Sequence, residues 1–358
     1  MKRFGNLWNK IISLDNLRLA ENKARYGKSN SYGVKKFDKE GDRDEKLLSI
    51  QKSLIDKTYK TSEYTVFKVY EPKEREIYRL PYYPDRIVHH AILNILEPIF
   101  TKTFTYNTYS SIPGRGLSKC AERVHKIIWR YKSKQKRLYC LKIDIKKFYP
   151  SINHEVLKTI IRKKIKDSDV LWLLDEIIDS TGGLPIGNYT SQWFGNLYLC
   201  YFMHKINEKY PEIDCTEYAD DIVFYSESPK KLHNIFREFI KPEIEENLKL
   251  VIKQNWQVFP VAYDRKDKHG RPLDYLGFKF YMNETTLRDR IKKNFSRTIK
   301  KLLKKNPEPE PKTIMMTISP WFGWIIHSDC GYLIKGCLGE KLYKRFYKEY
   351  KNRLKNVR

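Results

Sequence analysis

Two aspartates stand side by side inside a β-prone run, Thr216-Glu217-Tyr218-Ala219-Asp220-Asp221-Ile222-Val223-Phe224-Tyr225, and this pair restricts the chain more than any other stretch. Adjacent carboxylates raise one another's pKa unless a cation offsets the repulsion, and hard divalent cations with oxygen ligands do so. A lone Asp-Asp is elsewhere a solvated acidic turn, because turns favour Asp. Here alternating apolar residues lead into the pair and out of it, which predicts two short strands meeting at a tight turn. That turn has no Gly or Asn to take positive φ cheaply. Backbone strain is therefore expected at Ala219 and Asp220, as is commoner at functional sites than elsewhere.

A third carboxylate comes from Arg137 to Ile145, which alternates with period two. Tyr139, Leu141, Ile143 and Ile145 share one face of the predicted strand, and Asp144 lies on the other near its end. With this strand beside the Asp220-Asp221 hairpin, three carboxylates converge, as two-metal phosphoryl chemistry with ions about 3.5 to 4 Å apart requires. Between the two lies Gly182-Gly183-Leu184-Pro185-Ile186-Gly187-Asn188-Tyr189-Thr190-Ser191-Gln192, read as a loop ahead of a helix from Trp193 to His204. Its glycines let backbone approach a flat ligand.

In this order the segments resemble a reverse transcriptase. Asp144 to Tyr149 is similar to that family's first catalytic motif, Gly183 to Gln192 to its nucleotide-pocket motif and Tyr218 to Asp221 to its YxDD box. Leu276-Gly277-Phe278 resembles the primer-grip turn. Pro81 with Asp85-Arg86-Ile87-Val88, and Pro113-Gly114-Arg115-Gly116, resemble fingers elements of bacterial and intron-type members. The resemblance covers roughly residues 65 to 285.

It implies an α+β, right-hand polymerase: N-terminal helices and fingers over 1–135, a palm with a ferredoxin-like sheet over 136–285 (151–180 partly fingers), and a helical thumb over 286–358. Asp144, Asp220 and Asp221, with the backbone carbonyl of Ile145, would hold two Mg²⁺, Mn²⁺ being a substitute. Tyr149 would underlie the incoming sugar and exclude a 2′-hydroxyl. Ile186, Gly187 and Gln192 would line the nucleotide pocket, and Lys253 would protonate the leaving pyrophosphate, with Lys249 competing for that role. Template RNA, the RNA/cDNA duplex, dNTPs and a small basic accessory protein oligomer are the implied partners.

Where many members have Gln before the glycine and Ser-Pro at the end of the pocket motif, this chain has Ile186 and Ser191-Gln192. That form resembles the enzymes of diversity-generating retroelements, which copy with frequent errors opposite adenine. An aliphatic Ile removes a polar contact near the nucleotide, so weaker checking of base-pair geometry is expected. A defence-associated or retron-like reverse transcriptase would share the same catalytic residues, and an inactive RNA-binding relic of the fold is the reading from another class.

Lys and Arg number 70 against 43 Asp and Glu, a net charge of +27, which points to a polyanion partner; 14% aromatic residues suit base stacking. No apolar run reaches the length of a spanning helix, the N terminus leads into no signal-peptide core, and six cysteines without CxxC or Cys/His zinc spacing fit a reducing cytoplasm.

Along the chain, helices are expected at 11–25, capped by Ser13 or Asp15, and at 44–57, with a mobile basic segment 26–36 between them. A fingers hairpin follows, 64–70 pairing with 76–80. Its Lys73, Arg75 and Arg79 could face triphosphate or template phosphates. A helix over 85–100 carries His89 and His90 as packed residues. Gly114-Arg115-Gly116 lacks the Lys-Ser/Thr of a P-loop and is a weak nucleic-acid contact through Arg115. A helix at 232–248 and a strand-pair region at 249–261 complete the palm. The basic helix 288–305, with Lys292 and Lys293, would lie along a duplex. Pro307 to Pro311 reads as a stiff spacer, Ser319 to Trp324 as core, and 338–354 as a last helix.

Overall fold

The structure, a computed structural model, describes residues 3–70 and 74–355. The first expected helix is two, Trp8–Ile12 and Leu14–Arg25, because extended Ser13 interrupts them and its hydroxyl accepts the Asn16 N–H at 3.3 Å. Part of the segment read as mobile is helical, Tyr32–Lys39, since Val34 and Phe37 find a place in the core. The next helix is Arg43–Ile55.

Strands β1 (Thr65–Val69) and β2 (Arg75–Arg79) form the expected hairpin in the register Thr65↔Arg79, and every residue of β1 is exposed. Lys73 lies outside the described residues. Helix Ile87–Thr101 then buries Ile87, Val88, Ala91, Ile92 and Leu96 as one apolar stripe.

The central sheet comprises β3 (Tyr139–Asp144), β4 (Asp214–Tyr218), β5 (Asp221–Ser226) and β6 (Gln257–Pro260), in the spatial order β4-β5-β3-β6 with all neighbours antiparallel. This is the strand order of a split βαβ unit. Both faces of the sheet are covered. Along β5, Ile222 and Phe224 enter a core shared with the N-terminal helices and Tyr189–Lys209, while Val223 and Tyr225 enter a second core shared with Gly116–Ser133 and the C-terminal helices. Carboxylates can therefore emerge only at the strand ends. The region 249–261, expected as a strand pair, supplies one strand; Ile252 adds only an isolated bridge to Ile145, after Lys249 takes a positive φ of 53°.

A smaller sheet, β7 (Leu273–Tyr275), β8 (Phe278–Phe280) and β9 (Thr285–Leu287), follows. The helix Asp289–Lys305 buries Phe295 and Ile299 and leaves its basic face outward. Pro311, read as the end of a spacer, instead opens the helix Pro311–Ile318, where its missing N–H costs nothing. The last helix, Tyr332–Lys355, begins six residues before the expected 338 and is interrupted at Gly339, φ 75°. No helix among the described residues is long and apolar enough to cross a membrane.

Candidate active site

The hairpin joining β4 to β5 turns through Ala219 and Asp220; of the two residues expected to be strained, Ala219 stands at φ 55° and Asp220 does not take positive φ. Asp144, the last residue of β3, lies directly opposite Asp221, the first of β5. The Ile145 N–H donates to the Asp220 carbonyl at 3.3 Å, so backbone hydrogen bonding fixes all three acidic residues at one edge of the sheet.

Lysines serve these carboxylates. Lys253 donates from Nζ to Asp144 Oδ1 at 2.6 Å and from its backbone N–H to the Asp144 carbonyl at 2.9 Å. Lys142 Nζ stands 3.2 Å from Asp221 Oδ1. That pair is an electrostatic contact without hydrogen-bond alignment, since Asp221 Oδ1 is buried with no hydrogen-bond partner. Burial raises the Asp221 pKa to about 6 against the opposing pull of Lys142, and Asp144 and Asp220 push it the same way. Asp220 is raised as well, by burial first.

Among the described residues no three acidic, His or Cys side chains are already gathered as a metal cage. The expected convergence is seen in the strand ends, where Asp144 and Asp221 each lie beside a lysine. The donors nonetheless fit a hard cation. They are all oxygens, one is buried with only the Lys142 ammonium beside it, and the Ile145 carbonyl accepts no hydrogen bond among the described residues. Mg²⁺ commonly takes one or two carboxylates and completes its shell with water and substrate phosphates, so an open protein half-site suits it.

The glycine loop sits beside this edge. Gly183 (φ 90°) lies so close to the Pro150 carbonyl, and Gly187 (φ 132°) to the Tyr78 carbonyl, that a Cβ on either would collide with backbone. The Leu184 N–H donates to the Tyr149 carbonyl at 2.9 Å, and the Tyr78 N–H of β2 donates to the Ile186 carbonyl at 2.8 Å. The loop therefore ties the Asp144 segment to the fingers hairpin. The following helix, Tyr189–Lys209, starts inside the motif rather than at Trp193, and exposed Gln192 is in its first turn. Tyr149 packs over Gly195, where a Cβ would stand 3.1 Å from the Tyr149 ring. Burial, and secondarily Asp220, pushes its hydroxyl up to about 12, whereas Arg75 acts in the opposite sense. Arg75 itself is an exposed residue of β2.

Other expected residues lie elsewhere. Arg115, expected to contact nucleic acid, turns inward and donates to the Thr108 carbonyl at 2.7 Å and also to that of Thr105. Arg79 lines a different cavity from the aspartates. Leu276 (φ 56°) and Gly277 (φ 88°) make the β7–β8 turn ahead of Phe278, and Trp324 Nε1 donates to the Leu276 carbonyl at 2.9 Å. Lys292 reaches Asp289 at 3.6 Å, and Lys293 lines a groove with Arg290, Asn294, Arg297 and Trp321.

Three contributors escaped the sequence reading. Lys142 could have been found, since period two places it on the Asp144 face. His154, whose Nε2 accepts the Gly183 N–H at 2.9 Å, gave no local signal. Glu217 is fully buried; Oε2 accepts from Thr108 Oγ1 at 2.9 Å, and Oε1 has no partner. Burial raises its pKa from 4.5 to about 8. The folded value exceeds the unfolded one, so its contribution to stability is fully present below the unfolded pKa and is lost as pH rises through the folded one. Glu217→Gln is expected to flatten the fall in Tm between about pH 5 and 8. Thermal unfolding across that range checks this, and an unchanged slope would assign the fall to other groups.

The sequence pattern of the family described as Reverse transcriptase (RNA-dependent DNA polymerase) matches residues 71–280, more than half of the chain. Protein YkfC of Escherichia coli K12 is 23% identical over 242 residues, covering 55% of this chain and 63% of its own. Nuclear intron maturase 1, mitochondrial, of Arabidopsis thaliana is 29% identical over 95 residues, 26% of this chain and 12% of its own. The chain thus spans less than two thirds of either relative. Among solved structures, apo telomerase of Candida tropicalis truncated from its C-terminal domain has a TM-score of 0.47 at 11% identity, covering 64% of this chain and 55% of that one. Telomerase of Candida albicans with a fragment of telomeric RNA has a TM-score of 0.49 at 10% identity, over 67% and 50%.

Proposed function

We propose that this chain, which belongs to the reverse transcriptase family, is an RNA-directed DNA polymerase that extends a primer along a template RNA. The observation that carries the reading is the placement of Asp144, Asp220 and Asp221 at one sheet edge, with the glycine loop and Tyr149 beside them. Fingers, palm and thumb correspond to 1–135, 136–285 and 286–358. Two divalent ions, Mg²⁺ in this reading, would be held by the three aspartates and the Ile145 carbonyl and would stabilise the attacking and leaving oxygens.

The chain's own residues position and neutralise. Arg75 meets the triphosphate, and Tyr149 packed on Gly195 bounds the space under the sugar. Lys253, next to Asp144, is placed to give a proton to the departing pyrophosphate. The thumb helix follows the duplex backbone with Lys293, Arg290 and Arg297.

Ile186 supports the finer reading, an error-prone enzyme of a diversity-generating retroelement working with a small basic accessory protein. Its carbonyl is taken by Tyr78 and its side chain offers the nucleotide only apolar surface. Primer extension on an adenine-containing RNA template, with the cDNA sequenced, tests both levels. Extension with errors concentrated opposite adenine is the expected result, and Ile186→Gln is expected to lower that error rate several-fold. Accurate cDNA from the unaltered chain, or an error rate indifferent to Ile186→Gln, would overturn the finer reading. No extension with bound, primed template and its accessory protein present would overturn the coarser one.

A further inference from the structure

The entry to the glycine loop is held by one short segment, Tyr149 to His154. The Tyr149 carbonyl accepts the Leu184 N–H at 2.9 Å, and the Pro150 carbonyl lies against Gly183, whose φ of 90° brings the two backbones together. The third hold is a side chain. His154 opens the helix His154–Arg162, which Asn153 caps by accepting the Val156 N–H at 3.1 Å and which buries Leu157, Ile160 and Ile161. The ring therefore reaches the loop from a capped and packed support. Its Nε2 accepts the Gly183 N–H at 2.9 Å, and among the described residues no other acceptor takes that N–H.

Only a bare ring nitrogen accepts a hydrogen bond, so the proton of this imidazole sits on Nδ1. Asp179 selects that tautomer. Its Oδ1 is 3.1 Å from His154 Nδ1, and its Oδ2 accepts from Lys158 Nζ at 2.7 Å. The opposite tautomer would turn the Nδ1 lone pair toward a carboxylate and leave the Gly183 N–H unpaired. The Gly183 carbonyl also lies 3.1 Å from Nε2, but Thr181 Oγ1 already donates to it at 3.1 Å. Asp179 is the last residue of the helix Ser168–Asp179, where a carboxylate opposes the helix dipole, so His154 and Lys158 are what favour its charge there. None of Asp144, Asp220 and Asp221 takes part in this chain of bonds.

We propose that His154, oriented by Asp179, is a positioning residue that sets nucleotide affinity and sugar choice by holding the start of the glycine loop on the Tyr149 segment. The inference rests on the polymerase reading, which supplies the nucleotide. His154 touches no reacting atom; it acts through Gly183. Release of the Gly183 N–H frees that peptide from Pro150 and loosens the next bond, from the Leu184 N–H to the Tyr149 carbonyl. The Tyr149 ring is packed on Gly195 and has little room to follow the loop. The gap between ring and loop therefore widens, and that gap is the space assigned to the sugar.

The test uses the full chain with His154→Asn, His154→Gln and Asp179→Asn, in single-nucleotide primer extension on an RNA template with a dNTP or the matching rNTP. Amide exchange at Gly183 is followed on the same proteins without substrate. Asn reproduces the Nδ1 donor and lacks an acceptor at Nε2, whereas the longer Gln can bring its Oε1 to that place. His154→Asn is expected to raise KM for dNTP and to lower the preference for dNTP over rNTP by about tenfold each, the scale of one net hydrogen bond, with kcat changed by less than about threefold. His154→Gln should bring both quantities back to within about threefold of the unaltered chain. Asp179→Asn is the sharper variant, because Asp179 is exposed and does not touch the loop. Lys158 has only donors and claims the Asn oxygen, so the Asn amide faces Nδ1 and drives the ring proton to Nε2. This variant should match His154→Asn in KM, in sugar preference and in faster Gly183 exchange, and its surface position keeps the test valid if a His154 variant does not fold. Equal KM and sugar preference in the two His154 variants, or Gly183 exchange unchanged in both His154→Asn and Asp179→Asn, overturns the proposal. Absence of extension by the unaltered chain overturns the polymerase reading instead, and Gly183 exchange in the free chain still decides whether His154 holds the loop.

Discussion

Asn in place of Asp144 or Asp220 is expected to lower primer extension by about a thousandfold or more, the several kcal/mol that metal charge stabilisation supplies, while duplex binding stays within about twofold. The substitution keeps side-chain volume and removes only charge, so the β3 end and the Ala219-Asp220 turn should persist. Lys253 is left without its carboxylate in Asp144→Asn, but it is partly exposed and can turn to water. Binding should hold because a net charge of +27, much of it away from these residues, meets the nucleic-acid backbone. Single-turnover extension and anisotropy on the same preparations separate the two quantities. A chelator should act as the substitution does, abolishing extension and sparing binding, with Mg²⁺ or Mn²⁺ restoring it. Extension by either variant within tenfold of the unaltered chain would remove these carboxylates from the chemistry.

The carboxylates were legible because they obey local rules. Period-two alternation placed Asp144 on the face opposite Ile143 and Ile145, and the lack of glycine at 219–220 announced a strained turn, which Ala219 at φ 55° displays. The sheet order was legible as well, because strand, helix, hairpin, helix, strand admits few packings. What failed was set by contacts distant in sequence. Residues 26–36 look polar and open, yet Val34 and Phe37 anchor a helix once the rest of the core is present. Arg115 looks like a free cation beside two glycines, but the Thr105 and Thr108 carbonyls lie within its reach only in three dimensions. Lys28, Arg79 and Arg86 line one cavity away from the aspartates, yet they come from separate segments that no spacing rule joins. The paired lysines show the limit from the other side. Charge composition announced a polyanion partner, yet Lys142 and Lys253 are turned toward the protein's own carboxylates.

Gly187→Ala is expected to reduce kcat/KM for dNTP by about 10²-fold, the scale of a 1 Å misplacement at a reacting centre, with only a modest fall in Tm. At φ 132° the residue occupies backbone space open to glycine, and an added methyl would run into the Tyr78 carbonyl. Strain of this kind costs about 1–3 kcal/mol, and the cheapest relief is to move the partner that is least held. That partner is the fingers hairpin. β1 is exposed along its whole length, whereas the loop is anchored through Leu184 to Tyr149 and through Ser191, whose hydroxyl donates to the Pro185 carbonyl at 2.8 Å. The hairpin should therefore swing away, breaking the 2.8 Å bond from the Tyr78 N–H to the Ile186 carbonyl and withdrawing Arg75 from the site. Hydrogen exchange at Tyr78 should accelerate while β3 and β5 stay protected, and KM for dNTP should rise more than kcat falls. Loss of protection throughout the sheet would mean that the loop, not the hairpin, gives way. Unchanged KM with unchanged Tyr78 exchange would show that the hairpin has no part in holding the nucleotide, and Arg75 would lose its assigned role with it.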